Sequence, residues 1–313
     1  MAMTIFEKKI YDSLINNAFL FLSEALKRLL DRDPKGIGKM DINLITLTCA
    51  ELQISLELSI RATLVLFCGI KSVLKSDLAS LTEREIVTLY ETNALKVTEF
   101  DKQKNFLKSN HISRLTKEDF TEIDRFQTYR NKIVHFSCEF KDDQLAELRD
   151  EVLYYIVHVV LALLADTSTG ETPAEYLQNK LGFDFYKRVM AYEPYIKAME
   201  QYAAKNANPV WTCIGCFHRT YSPKNDFCYC CGYETLAGFR RVDCGSCGTH
   251  DSVIYDNWNI HCKGNHHMMR GFCLDCEEDT YVFECPVCGE AHDITKYSER
   301  EYCYENHCVN NEI

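Results

Sequence analysis

Five pairs of cysteines, each with two residues between them, punctuate the last third of this 313-residue chain: Cys213 and Cys216, Cys228 and Cys231, Cys244 and Cys247, Cys273 and Cys276, Cys285 and Cys288. That spacing lets one tight turn aim two thiolates at the same ion, and two such turns complete the tetrahedron of ligands that zinc prefers. A second group of reactive types stands much earlier, in "DRFQTYRNKIVHF", where Arg130, Asn131 and His135 occupy little more than one helical turn. A guanidinium is a planar fork for phosphate oxygens, and an imidazole exchanges protons near neutral pH. Metal binding and acid–base chemistry are therefore assigned to separate parts of the chain.

The cysteine pairs sort by spacing. "CIGC" and "CYCC" stand eleven residues apart, so Cys213, Cys216, Cys228 and Cys231 form one site and Cys230 is the spare thiol. An internal repeat follows. Cys244-x2-Cys247-x14-Cys262-x3-His266 recurs as Cys285-x2-Cys288-x14-Cys303-x3-His307, every position displaced by 41 residues. The repeat points to a second and a third site of three cysteines and one histidine, leaving Cys273 and Cys276 without a partner. Other pairings stay open: Cys273 and Cys276 can join Cys285 and Cys288, join Cys244 and Cys247, or meet the same pair of a second chain. Closed sites of four protein ligands stabilise folding and leave no coordination position for water, so the expected cofactor is structural zinc, about three ions.

The elements that must position Arg130 and His135 read as helices. Phe6, Ile10 and Leu14, then Leu20, Leu26 and Leu30, form the stripe of a core-facing helix. "DRDPKGIGKMD" interrupts it with a proline and two glycines. "INLITLTCAELQISLELSIRATLVLFCGIKSVL" is apolar on most sides, as a central bundle helix is, and its Glu57 and Arg61 are spaced for an ion pair. A shorter helix is predicted in "LTEREIVTLYETNAL", another from "TKEDFTEIDRF" with Thr116 as N-cap, and a last one in "DDQLAELRDEVLYYIVHVVLALLA", where His158 reads as a core histidine. Asp124 and Arg125 read as a solvated face, and Cys49, Cys68 and Cys138 as small buried side chains. The expected fold is an all-α helical bundle over 1–170, a helical linker over 171–209 opened by "ETPAEYL" and closed at "KNANPVW", and an array of small zinc-ribbon modules over 210–313. Short hairpin strands are expected at "SVIYD" and "TYVFE".

Charge narrows the partners. The formal net charge is -11, and residues 210–313 hold 8 basic against 16 acidic side chains. That balance excludes a general nucleic-acid coat, because phosphate affinity comes mostly from clustered lysine and arginine. Any RNA contact must be local, with Trp211, Tyr221, Tyr233, Trp258, Tyr281 and Phe283 as candidate stacking faces and Arg219, Lys224, Arg240 and Arg241 as candidate phosphate contacts. No segment is long and apolar enough for a membrane crossing. The opening "MAMTIFEKKIYDSL" lacks the basic start, apolar run and cleavage site of an export signal, so a cytoplasmic location is expected, where cysteines serve metals rather than disulfides.

On an ideal helix Asn131 and His135, four apart, share a face, whereas Arg130 and His135, five apart, diverge by about 140°. The two converge if the helix ends or distorts near "IVHFS", or if two copies of the motif face each other across a dimer. At "YRNKIVHF", placed after several helices and before "VLYYIVHVVLALLA", the chain resembles the HEPN superfamily, whose members are helical, mostly dimeric bundles carrying Arg-x4-6-His and often Arg-Asn-x3-His. The resemblance covers residues 1–170. It implies a metal-independent endoribonuclease, frequently a toxin or antiviral defence effector, with the motifs of a homodimer or higher homo-oligomer forming one cleft and RNA as substrate. On that reading His135 moves protons to and from the 2′-OH and the 5′ oxygen, Arg130 holds the scissile phosphate, and Asn131 orients either partner. In those HEPN toxins neutralised by a nucleotidyltransferase, a tyrosine follows the histidine by two residues; here Ser137 stands there, which puts such an antitoxin in doubt. The zinc array then selects RNA, or meets a protein trigger or inhibitor. The competing expectation is a non-catalytic adaptor that binds protein or nucleotide.

Overall fold

The computed structural model describes residues 3–32, 42–78, 80–113, 115–135, 147–148, 152–165, 173–234, 239–255, 261–262 and 265–295, with side chains for all of these except 32, 134, 135, 165, 173, 176, 261, 262 and 265–267. The chain divides into two compact units: Met1–Tyr202 with Cys230–Gly232, and Ala203–Tyr229 with Tyr233–Ile313.

The first unit is helical. α1 (Ile5–Arg32) and α2 (Ile42–Cys68) pack along one another, and α2 also touches α4 (Phe100–Asn110), α5 (Lys117–His135) and α6 (Leu153–Ala165). The central role expected of α2 is therefore observed. It buries polar residues on the way, and three of the hydroxyls find a carbonyl: Ser55 Oγ donates to Ala18 O of α1 at 2.7 Å, Ser59 to Ser55 O at 2.8 Å, and Thr63 to Ser59 O at 3.0 Å. Without those partners, burial of each hydroxyl would cost on the order of 1–3 kcal/mol. α6, "LYYIVHVVLALLA", is buried almost throughout, and His158 sits in it with its ring 4.6 Å from that of Tyr202, as a core histidine does.

Helix starts follow local chemistry. α3 (Glu83–Glu91) opens with a capping box between Thr82 and Glu85. α5 opens in the same way: Thr116 Oγ1 accepts from the Asp119 N–H at 3.3 Å, and Asp119 Oδ2 accepts from the Thr116 N–H at 2.6 Å. α7 (Pro173–Leu181) begins at the proline that marked its start in the sequence, and α8 (Phe183–Met190) and α9 (Glu193–Asn206) complete the series. α4 was not singled out by its sequence; its buried residues include Gln103 and Lys104, which no apolar stripe marks.

In the second unit every described strand pairing is antiparallel. β1 (Trp211–Thr212), β2 (Arg219–Ser222) and β3 (Phe227–Cys228) form a small sheet. β4 (Arg240–Val242), β5 (Val253–Tyr255), β6 (His261–Cys262), β7 (Asn265–Cys273), β8 (Asp279–Glu284) and β9 (Ala291–Asp293) form one six-stranded sheet in the order β4-β5-β7-β8-β9, with β6 also on β7. The strands expected at "SVIYD" and "TYVFE" are β5 and β8, but they belong to this continuous sheet rather than to separate hairpin modules. The cause is β7, a nine-residue strand long enough to pair with β5, β6 and β8 at once. Gly271 allows the close approach: a Cβ there would lie 2.9 Å from Val253 Cγ1 and 3.1 Å from Thr280 Cγ2.

Candidate functional site

α5 carries Arg130, Asn131 and His135 near its described C-terminal end. Phe120, Ile123, Phe126 and Tyr129, three residues apart in turn, bury its inner face. Its start is tied down where Tyr202 donates its hydroxyl proton to the buried Asp119 carboxylate. Arg130, one residue after the buried stripe, comes to α2 beside a polar row at four-residue steps: Gln53, Glu57 and Arg61. Gln53 Nε2 donates to Glu57 Oε1 at 2.9 Å, and Arg61 Nη2 donates to Glu57 Oε2 at 3.0 Å, the ion pair expected from their spacing. Arg61 Nε also donates to Gln103 Oε1 at 3.2 Å. Arg130 Nη2 lies 3.8 Å from Glu57 Oε1, an ion pair too long for a hydrogen bond, while Nη1 donates to Asn131 Oδ1 at 2.8 Å.

Asn131 therefore tethers the guanidinium, a contact that the sequence reading assigned to imidazole or ligand. His135 continues the same α-helix in its backbone, so no break separates it from Arg130; its side chain lies outside the described ones. At five residues' separation a regular helix keeps the two directions about 140° apart. Distortion before His135 is thus not the way in which the motif converges within one chain.

Further charges surround the arginine. Lys104 on α4 donates to Asp124, to Gln127 Oε1 at 2.7 Å and to Asp101 Oδ1 at 3.1 Å. Burial works to lower the Lys104 pKa, but the carboxylates of Asp124 and Asp101 outweigh it and raise the ammonium above its usual value. The hydrogen bond from Lys104 holds Asp101 below the ordinary carboxylate range against the opposing effect of burial, and the charge of Arg130 adds to the lowering. Asp124 is exposed, as a solvated position is, though it accepts from Lys104, while Arg125 is half-buried and pairs with Glu122 at 3.2 Å and with Glu147. Of the network around Arg130, the sequence reading missed Gln53, Asp101, Gln103 and Lys104. The signal for Gln53 was available in the four-residue row of polar residues inside an apolar helix.

The metal-ligating residues gather in two quartets among the described residues: Cys213, Cys216, Cys228 and Cys231, and Cys244, Cys247, Cys273 and Cys276. Zinc with four sulfurs at about 2.3 Å in a tetrahedron separates them by about 3.8 Å. Cys216 and Cys228, Cys244 and Cys276, and Cys247 and Cys273 have their Sγ atoms 3.8 Å apart in each case, so both quartets suit structural zinc. Backbone amides face the sulfurs: Gly215 N to Cys213 Sγ at 3.3 Å, Cys247 N to Cys244 Sγ and Cys276 N to Cys273 Sγ at 3.4 Å. Such N–H groups favour thiolates. In the second quartet burial pushes Cys244 and Cys276 up, whereas at Cys247 burial is overcome by the Thr249 hydroxyl and amide and by neighbouring thiols, which bring it down to about 7.

The first quartet is the expected one, and Cys230, buried, stands outside it. The second corrects the repeat-based reading, in which Cys262 and His266 completed the site of Cys244 and Cys247; the alternative with Cys273 and Cys276 is the arrangement found. The sheet explains it. β5 pairs with β7 in the register Val253↔Cys273, which sets the turn after β7 beside the turn before β5. The side chains of Cys262 and His266, and all of Cys303, His307 and Cys138, lie outside those described, while Cys285 is buried and Cys288 exposed. Cys49 is buried as expected, its thiol pushed by burial to about 12, but Cys68 at the end of α2 is exposed.

The proposed stacking faces fare differently. Trp211, Tyr221 and Phe283 are buried, Tyr281 is exposed, and Trp258 lies outside the described residues. Arg219 pairs with Asp275 at 2.8 Å and Arg240 with Glu284, so two of the four candidate phosphate contacts already hold carboxylates. No described helix is long and apolar enough to cross a membrane. No protein-family model, curated protein or solved structure matches the chain.

Proposed function

We propose that the protein is a metal-independent endoribonuclease of HEPN type, acting as a toxin or antiviral defence effector in the cytoplasm, with a zinc-stapled second unit that meets an RNA or protein partner. The observation that supports it best is the presentation of Arg130. One end of its guanidinium is tethered to Asn131 and another faces a fixed carboxylate at 3.8 Å, leaving further N–H groups for a phosphate. His135 in such an enzyme accepts the 2′-OH proton and protonates the departing 5′ oxygen, giving a 2′,3′-cyclic phosphate and a 5′-OH. Because one regular helix splays the two side chains, the productive cleft takes the motifs of two copies in a homodimer or higher homo-oligomer. Zinc in this reading is structural and takes no part in the reaction.

The non-catalytic adaptor draws support from the second unit, where two of the candidate RNA-binding residues, Arg219 and Arg240, are paired with Asp275 and Glu284. Incubating the zinc-loaded full chain with mixed RNA in buffer free of added divalent ions separates the readings. The enzyme cleaves, leaves cyclic phosphate ends, and loses activity in Arg130→Ala and in His135→Ala; equal mixtures of the two variants recover part of it if the cleft is shared. Cleavage that survives both substitutions, or no cleavage at any RNA tested, leaves the adaptor.

A further inference from the structure

A cavity of about 300 Å³ opens in the helical unit, with Arg61 in its lining. Ile10 and Leu14, one turn apart on α1, supply one part of the wall, and Ile70 and Val73, from a short helix after α2 (Ile70–Val73), supply another. The rest comes from Tyr90 at the end of α3 and from the loop that follows it, through Asn93, Leu95 and Val97. That loop is held in place by its backbone. Ala94 N donates to Leu89 O at 2.8 Å, Thr98 N to Val73 O at 2.9 Å, and Lys75 N to Lys96 O at 3.2 Å, so the segment carrying Leu95 and Val97 is tied to the chain after Val73. Asn93 turns the chain with φ 56°, a left-handed conformation that asparagine visits more readily than most residues.

The walls are mainly aliphatic, and the polar groups are few. Arg61 is the charged residue of the lining. Its Nη2 donates to Glu57 and its Nε to Gln103, while Nη1 has no protein partner among the described residues. The Tyr90 hydroxyl and the Asn93 side-chain amide have none among them either. Lys9 adds a second cation close by, its Nζ 5.8 Å from the centre of the Tyr90 ring. Among the described residues no carboxylate lines the cavity.

Aliphatic walls open to water forgo burial that a bound apolar body restores, and a guanidinium with spare N–H groups takes an anion. Small-molecule sites combine the two, with a mostly apolar lining, a few placed polar groups and volumes from about 300 Å³ upward. Charge narrows the ligand further. Arg61 and Lys9 stand against the single carboxylate of Glu57, so one more negative charge completes the balance, as a monoanion provides and a phosphate dianion exceeds.

We infer that this cavity binds a small aliphatic carboxylate, with its chain against the α1 wall and its head group on Nη1 of Arg61. The site is separate from the Arg130 motif and does not rest on the ribonuclease reading, although Arg61 and Arg130 both face Glu57.

The test titrates octanoate into the zinc-loaded full chain by calorimetry, with octanol as its neutral homologue and inorganic phosphate as a bare anion. Octanoate is expected to saturate a single site and to bind tighter than octanol by about tenfold or more, the fold-change that one hydrogen bond to a charged group supplies. Phosphate leaves octanoate binding unchanged. Arg61→Lys keeps the preference for the acid, Arg61→Gln removes it, and Val97→Trp, which fills the exposed edge of the cavity, weakens both ligands. Because Arg61 also holds Glu57, a second measurement uses the unsubstituted chain: an octanoate analogue with a photoreactive diazirine at its far end labels peptides containing residues 10–14 and 90–97, and excess octanoate suppresses the label. Octanol binding as tightly as octanoate, displacement of octanoate by phosphate, saturable labelling confined to other peptides, or no saturable binding at millimolar octanoate would each overturn the inference.

Discussion

Arg61 and Arg130 share Glu57, and that arrangement predicts a separation of stability from function. Arg61 makes a 3.0 Å charged hydrogen bond to Glu57 and a 3.2 Å bond to Gln103, with its side chain 19% exposed. Removing it leaves a half-buried carboxylate short of a donor, and hydrogen bonds to charged groups contribute about 1.5–3 kcal/mol each. Arg130 is 29% exposed, reaches Glu57 only at 3.8 Å, and otherwise bonds its own neighbour Asn131. A pair of that kind contributes about 0.2–1 kcal/mol. Arg61→Ala is therefore expected to lower stability by about 2 kcal/mol or more, and Arg130→Ala by less than about 1 kcal/mol. If the guanidinium of Arg130 stabilises charge on a reacting phosphate, its loss slows RNA cleavage by about 100-fold or more, the usual effect of deleting one such donor. Urea unfolding followed by far-ultraviolet circular dichroism gives the first quantity, and single-turnover cleavage of a labelled RNA gives the second. The reasoning fails if Arg130→Ala unfolds as readily as Arg61→Ala, since the arginine would then be a strut of the bundle. It fails equally if cleavage persists in a stable Arg130→Ala protein.

Tyr202→Phe removes the hydroxyl that donates to buried Asp119, and the lost charged hydrogen bond is expected to lower the urea midpoint by the equivalent of about 1.5–3 kcal/mol without changing zinc content. Gly271→Ala places a methyl 2.9 Å from Val253 Cγ1 and 3.1 Å from Val282 Cγ2 between paired strands, and the overpacking is expected to destabilise the second unit by about 1–3 kcal/mol, read as a lower melting temperature. Zinc is expected to leave the quartets as the pH falls, because each sulfur must be a thiolate to bind and protons compete for it; a chromogenic chelator follows the release. Release on raising the pH through neutrality would contradict thiolate ligation.

The helices were legible where burial is apolar. Ile10, Leu26 and Leu30 of the α1 stripe, the apolar face that α2 buries and the cap at Thr116 follow from residue type and spacing, which act over a few residues, whereas Leu20, placed in the same stripe, is exposed, as are Leu47 and Phe67 of α2. α4 escaped because its inner side is made of Gln103, Lys104 and Leu107, and the first two are held there in part by partners on α2 and α5 that spacing does not reveal. The same cause hid the partners of Asp124 and Arg125. Their solvent-like composition conceals Lys104 and Glu147, which other parts of the chain bring to them. At Arg130 the motif was plain, but the carboxylate that faces it was legible only as half of another ion pair.

The cysteines divide along the same line between local and distant information. Each turn of two cysteines closes on itself within six residues, through the amide of the first cysteine and a positive φ, so spacing alone identifies it. Which turns meet is decided elsewhere. From Cys247 the chain runs 14 residues to Cys262 and 25 to Cys273, and the difference in loop-closure entropy is under about 1 kcal/mol. That is too little to select a partner. Strand pairing selects it instead, because the register Val253↔Cys273 fixes the second turn beside the first whichever loop is shorter. An internal repeat therefore records how the strand-and-turn units are copied along the chain, while the sheet order determines which copies share an ion.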